Sequence, residues 1–255
     1  MKQLTFILTV IIIFAGCSND KPSADVTPPA ADYEIINIYP HDTSFFTQGF
    51  EFKGDTLLES TGKEYYSKVI SYNIFTPQIY KEISIPSDVF GEGITELNGQ
   101  IFQLTWQNEK GYVYDSSNLS KLREFSYSGE GWGICNDGTE LIMSDGSEKL
   151  YFRNPESFNV TKTVIVKDSN GVSCKNLNEL EYADGKIYAN LWGYNFIVCI
   201  DPLTGMIVKK YDLSGLLSPQ EYYEADVLNG IAFRNGHFFV TGKFWPKIFE
   251  LKLND

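Results

Sequence analysis

From about residue 48 onward, apolar and polar positions alternate with a period of two, in short runs. That is the rhythm of β-strands whose two faces meet different surroundings. The runs come in pairs separated by a tight turn that carries glycine. Five such pairs can be aligned: "QGFEFKGDTLLEST" from Gln48, "EGITELNGQIFQLTW" from Glu92, "WGICNDGTELIMSD" from Trp132, "NELEYADGKIYANLW" from Asn178 and "NGIAFRNGHFFVTGK" from Asn229. Alternating runs around a glycine turn are the signature of a β-hairpin. After each of the first four hairpins come two further strand-like runs, such as "KVISYNI" and "KEISI". A helical period is nearly absent, and only residues 218–228, "SPQEYYEADVL", offer a helical turn.

Four strands per unit, repeated every forty to fifty-one residues, is the arithmetic of a β-propeller blade. The expected fold is therefore all-β, a five-bladed propeller. The fifth unit supplies only three strands, ending at "PKIFELKLND". Its fourth is expected from "YEIINIYP", residues 33–40, pairing back from the N-terminal side to close the ring. Closure of that kind removes exposed sheet edges.

Blade geometry makes a prediction about chemistry. The start of each first strand and the end of each second strand lie at one mouth of the channel. The first set gives Gln48, Glu92, Trp132, Asn178 and Asn229, and the second gives Thr61, Trp106, Asp145, Trp192 and Lys243. Trp106 and Trp192, which end strands where they would otherwise meet water, thereby face a shared opening. Aromatic walls with a few placed polar groups are the composition of a small-ligand site.

Charge and composition narrow the picture. The 255 residues hold 33 acidic and 21 basic side chains, for a formal charge of −12. A nucleic-acid partner is not expected of such a chain. Two histidines, His41 and His237, are too few and too far apart in sequence for a His-rich catalytic metal site. Residues 1–17, "MKQLTFILTVIIIFAGC", read as a signal segment: basic Lys2, an apolar run over 4–14, then small residues before Cys17. They resemble a bacterial lipoprotein box, with Cys17 lipidated. Residues 18–32 are a polar, Pro-rich tether, and residues 33–255 form the folded domain. The expected location is the bacterial cell envelope, with the membrane engaged only through the lipid, and the expected state is a monomer. Cys135, Cys174 and Cys199 are expected as buried small hydrophobes, with at least one free thiol.

The motifs "FTQGF", "ESTG", "FGEGIT", "QLTW", "EGWG", "SDGSE", "NELEY", "DVLNGIA" and "VTGKFWP" occur in this order between about residues 45 and 247. In that order they resemble the plant and bacterial glutaminyl-peptide cyclotransferases, a family of five-bladed propellers. The resemblance implies conversion of the N-terminal glutamine of peptides or proteins to pyroglutamate, with release of ammonia. It carries over Glu92, Gln48, Asn178 and Lys243 as catalytic candidates. As substrate-binding candidates it carries over Trp106, Trp132 and Trp192, together with Phe46 and Phe90. It implies no catalytic cofactor, and a structural calcium ion in the channel.

Cyclisation needs a group that takes a proton from the attacking amine and hands it to the leaving nitrogen. Glu92, desolvated among aromatic rings, is the expected shuttle. Two other readings compete. A non-catalytic propeller binding peptide termini or a partner protein uses the same mouth, and the fold alone does not decide. A metal-dependent hydrolase would need Glu92, Asp145, Asn178 and Asn229 to converge on one ion.

Overall fold

A computed structural model describes residues 32–76 and 78–254. The signal segment, Cys17 and the tether up to residue 31 lie outside the described residues. Strand β1 (Tyr33–Pro40) comes first in the chain. Blade 1 follows with β2 (Thr47–Lys53), β3 (Thr56–Thr61), β4 (Lys68–Asn73) and β5 (Gln78–Ser84). Blade 2 is β6 (Gly91–Leu97), β7 (Gln100–Thr105), β8 (Lys110–Asp115) and β9 (Lys121–Ser126). Blade 3 is β10 (Ile134–Asn136), β11 (Leu141–Ser144), β12 (Lys149–Arg153) and β13 (Val160–Ile165). Blade 4 is β14 (Leu177–Ala183), β15 (Lys186–Leu191), β16 (Phe196–Ile200) and β17 (Ile207–Asp212). A short helix, α1 (Pro219–Glu224), precedes blade 5, which comprises β18 (Leu228–Arg234), β19 (His237–Gly242) and β20 (Lys247–Leu253).

Each blade is a four-stranded antiparallel sheet. The fifth is completed by β1, which pairs with β20 from Tyr33 opposite Leu253 to Pro40 opposite Lys247. The N-terminal strand thus closes the last blade, as the missing fourth run requires. The ring is fastened there by side chains as well. Glu250 of β20 accepts from Asn37 Nδ2 and Tyr39 OH at 2.7 Å each. The helical turn is fixed at its start by a capping box, in which Ser218 and Glu221 each accept from the other's backbone N–H.

Burial follows position in the blade. The first strands are buried almost throughout, whereas outermost strands such as β5 and β9 expose most residues. The apolar core is divided into five clusters, one at each seam between neighbouring blades. The blade 4–5 seam, for example, packs Tyr188, Ile197 and Tyr211 against Ile231, Phe238 and Phe249. At the axis the first strands come close enough to exclude side chains. A Cβ on Gly133 would stand 1.9 Å from the Asn178 carbonyl oxygen, and Gly49 and Gly93 meet the next blade similarly. Blade 4 carries Glu179 between Asn178 and Leu180 instead of a glycine. Its carboxylate accepts from the backbone of Phe50 in blade 1 and Ile231 in blade 5, at 3.3 and 2.7 Å.

Cys135 and Cys199 are buried, as expected, but Cys174 is only half-buried, because it lies in the loop before β14 and packs on the margin of the blade 3–4 cluster. All three are free thiols.

Candidate active site

The mouth residues are aimed inward by irregularities in the innermost strand pairs. Where β2 pairs with β3 the register shifts between Thr47 and Gly49, and where β6 pairs with β7 it shifts between Gly91 and Ile94. Equivalent shifts fall between Leu177 and Leu180 and between Leu228 and Ile231. These bulges hold Gln48, Glu92, Asn178 and Asn229, and a bulge turns its side chain away from the regular pleat. In blade 3 the regular strand begins only at Ile134, leaving Trp132 free to lean over the opening.

Nine side chains line one cavity of about 370 Å³: Phe46, Gln48, Phe90, Glu92, Trp106, Trp132, Asn178, Trp192 and Lys243. They are the nine candidates named from sequence, brought together from all five blades. Three other mouth positions do not line it. Thr61 and Asp145 are displaced by one residue from the true mouth position, which the backbone marks clearly. Trp106, Trp192 and Lys243 donate their N–H groups to the carbonyls of Phe90, Asn176 and Val227, and in blade 1 the equivalent donor is Gly62, to Phe46. Gly62 gives way to the Phe90 ring, since a Cβ there would sit 2.3 Å from it. By the same count Gly146, not Asp145, is the mouth residue of blade 3, and it gives way to the Trp132 indole. Asp145 instead accepts from Ser147 and from Tyr151 OH.

Asn229 lies behind the cavity, where its Nδ2 donates to the Thr47 carbonyl and to Gln48 Oε1, at 2.9 and 3.2 Å. That fixes which end of the Gln48 amide faces inward. Gln48 Nε2 donates to Glu92 Oε1 at 3.0 Å. One Glu92 oxygen is thereby held, and the other is left toward the cavity.

Electrostatics set the protonation of the pair at the centre. Desolvation pushes the Glu92 carboxyl well above the ordinary glutamate value, against the pull of Lys243 and with help from Glu130. Burial pushes the Lys243 ammonium down, against the opposing influence of Glu92 and Asp226. The Lys243 Nζ stands 4.5 Å from the Phe46 ring centroid. The Asn178 Oδ1 is buried with no partner within the protein. An acceptor in that state costs free energy until a donor reaches it.

The aromatic wall is rigid because of a residue that sequence reasoning passed over. Glu130 Oε2 accepts from Trp106 Nε1 at 2.8 Å and from Trp132 Nε1 at 2.9 Å, while Oε1 accepts from Gln107 at 2.8 Å. Partial desolvation works against ionisation of Glu130, yet these three bonds hold it below the ordinary glutamate range. The signal was present in "EGWG", two residues before Trp132. Only the fold shows that the indole from blade 2 reaches the same carboxylate. Trp132 also meets Trp192 edge to face with centroids 6.0 Å apart, and Phe90 meets Trp106 at 5.8 Å.

On the axis, Glu179 offers no free carboxylate oxygen to the expected calcium ion. Such an ion takes six to eight oxygens, several of them from carboxylates. Both oxygens of the axial Glu179 are taken by backbone N–H groups. Among the described residues, no three of His, Cys, Asp or Glu gather as metal ligands. The four residues a metal-dependent hydrolase would need do not converge either, since Asp145 accepts from Ser147 and Tyr151 away from the cavity that Glu92 and Asn178 line.

Comparison with known proteins adds a separate line. A sequence model described as Glutamine cyclotransferase matches residues 8–253. A glutaminyl-peptide cyclotransferase of Arabidopsis thaliana is 38% identical over 238 residues, covering 91% of this chain and 74% of that relative. The crystal structure of Myxococcus xanthus glutaminyl cyclase superposes with a TM-score of 0.77 at 35% identity, over 88% of this chain and 97% of that one. A nidogen–laminin complex matches at a TM-score of 0.52 and 16% identity, over 78% of this chain and 73% of that one, which is a likeness of fold alone.

Proposed function

The chain belongs to the glutamine cyclotransferase family, and on that premise we propose that it is an acyltransferase converting N-terminal glutamine of peptides to pyroglutamate, with Glu92 as its proton shuttle. The observation that carries the reading is one desolvated carboxyl at the centre of an indole-walled cavity, oriented by an amide and flanked by a buried ammonium.

The substrate's α-amine attacks its own γ-carboxamide carbon, so both reacting groups arrive in one molecule. The task of the walls is to fold that side chain back on itself. Such positioning contributes up to about 7–11 kcal/mol in well-oriented intramolecular reactions. Trp106, Trp132 and Trp192 supply flat surfaces that enforce the compact shape and exclude water. Asn178 Oδ1, lacking a protein donor, accepts from the amine or the amide of the substrate. As the C–N bond forms, Glu92 takes a proton from the attacking nitrogen through the oxygen that Gln48 leaves free. It returns that proton to the departing nitrogen, so the C–N bond to the carboxamide breaks with neutral ammonia leaving. A raised pKa suits the exchange, because the acid and the base form of the carboxyl are both within reach. Lys243 stabilises the developing charge on the carbonyl oxygen.

Cys17 is proposed as the lipid attachment point that places this domain in the cell envelope. The activity itself is tested by incubating the protein with a glutamine-initiated peptide, with and without chelator. The expected outcome is ammonia and pyroglutamyl peptide in equal amounts, unaffected by chelator. Absence of product, or product only with added metal, would contradict it.

A further inference from the structure

A second concavity opens on the same mouth, beside the catalytic pocket. It holds about 450 Å³ and is lined by residues that include Thr61, Gly62, Lys63, Tyr66, Lys68 and Phe244. The two cavities share a wall. Gly62 separates them, with the Phe90 ring and Gln48 Cγ on its pocket side. Phe244 packs on Phe46 with centroids 5.1 Å apart. A peptide extending from the pocket over this wall would reach the groove.

The loop that forms the groove is held in a costly shape. Lys63 and Tyr65 adopt φ of 110° and 70°, in the left-handed region that side-chain-bearing residues avoid. The conformation is over-determined by its surroundings. Ser67 Oγ donates to the Lys63 carbonyl and accepts from Gly91 N, next to Glu92. Tyr65 N donates to the Ser87 carbonyl. Strain maintained in this way concentrates at functional sites. What it achieves here is to present Tyr65 and Tyr66 to solvent, 74% and 71% exposed, beside a lysine.

The charges point to the occupant. Lys68 is paired with Glu82 at 3.2 Å. Lys63 Nζ instead lies 5.1 Å from the Phe244 ring centroid. Among the described residues no carboxylate forms an ion pair with it. In a chain with 33 acidic side chains, a lysine left to an aromatic face at the rim of a peptide site is conspicuous. On the other side of Phe244 lies a cleft that carries Glu224 together with Glu221, whose carboxylate is paired with Lys247.

We infer that the Lys63 groove is the subsite for the residues following the N-terminal glutamine, and that it favours substrates with a carboxylate there. This rests on the cyclotransferase reading. The aromatic faces take the peptide backbone and side-chain stems, and Lys63 meets an aspartate or glutamate at the second or third residue.

The test compares glutamine-initiated peptides identical except for Glu or Lys at positions two and three. Each is turned over by the wild type, Lys63→Ala and Lys63→Glu. The Lys63 side chain is exposed and the loop is held through its carbonyl, so both variants keep the fold. An exposed charge pair implies a wild-type preference in kcat/KM of about two- to fivefold for the Glu peptide. That preference should fall toward parity in Lys63→Ala, reverse in Lys63→Glu, and shrink in high salt. A ratio that is the same in all three proteins would overturn the subsite. So would a wild-type preference for the Lys peptide, which would route the chain into the cleft that carries Glu224. No turnover of any glutaminyl peptide would instead remove the cyclotransferase reading, and the groove with it.

Discussion

One carboxylate, Glu130, organises more of the pocket than any aromatic residue does. It is the common acceptor of two indole N–H groups that arrive from different blades. Its negative charge also helps raise the Glu92 pKa. The two roles separate in mutants. Glu130→Ala removes acceptor and charge together, and we expect KM for glutaminyl peptides to rise about tenfold, which corresponds to about 1.4 kcal/mol. Glu130→Gln keeps an oxygen that both indoles can reach but loses the charge. Removing a negative neighbour favours ionised Glu92, so its pKa falls. The acid limb of the kcat/KM–pH profile then moves to lower pH with little change in KM. Profiles of the three proteins decide between these effects, and an unmoved acid limb in Glu130→Gln would deny the electrostatic link.

At the scale of the strand, the site depends on close approach at the axis. Gly133 lies where blade 3 meets the Asn178 carbonyl, and a methyl group has no room there. Gly133→Ala should destabilise the fold by about 3 kcal/mol, the upper range for overpacking. It should lower activity as well, by pushing Asn178 from the cavity wall. Denaturant midpoints together with kcat/KM check both halves, and a variant of wild-type stability and activity would show that the strands can part. These strands also show what a sequence conveys. Period-two alternation and the glycine turns at Gly54, Gly99, Gly138, Gly185 and Gly236 were enough to locate the hairpins, because both are local. The bulges at Gln48, Glu92, Asn178 and Asn229 depend on pairing between strands and are not legible in any single run of residues. Thr61 and Asp145 stood in for Gly62 and Gly146, whose value is the absence of a side chain. Glu130 escaped because its second indole is 24 residues away in sequence.

Across the whole molecule, buried acids shape stability. Burial raises Glu92, Glu179 and Glu181 well above the ordinary carboxylate range and takes Glu51 to about 8. His41 lies buried where β1 gives way to blade 1. Burial alone would lower its pKa, but the Glu59 carboxylate and the Trp245 carbonyl reverse this and raise it. All five groups bind protons more tightly in the native state than in the unfolded chain. Stability contributed in this way is lost as pH rises through the native pKa values. Between about pH 5 and about pH 8 the melting temperature should therefore fall. Carboxylates held low, such as Asp201 and Glu221 at about 2, lose their contribution only in stronger acid. Melting curves across that window test the sign, and a melting temperature that climbs toward pH 8 would contradict it.

The central claim is that five distant hairpins assemble one pocket in which a single carboxyl moves the proton. Glu92→Gln tests it most directly, because the amide keeps the shape and forfeits the proton transfer. The measurement pairs binding of a glutaminyl peptide, followed by quenching of the pocket tryptophans, with its rate of ammonia release. Binding should survive while turnover falls by about a hundredfold or more, the range of general acid–base catalysis. Turnover within about tenfold of wild type would contradict the account.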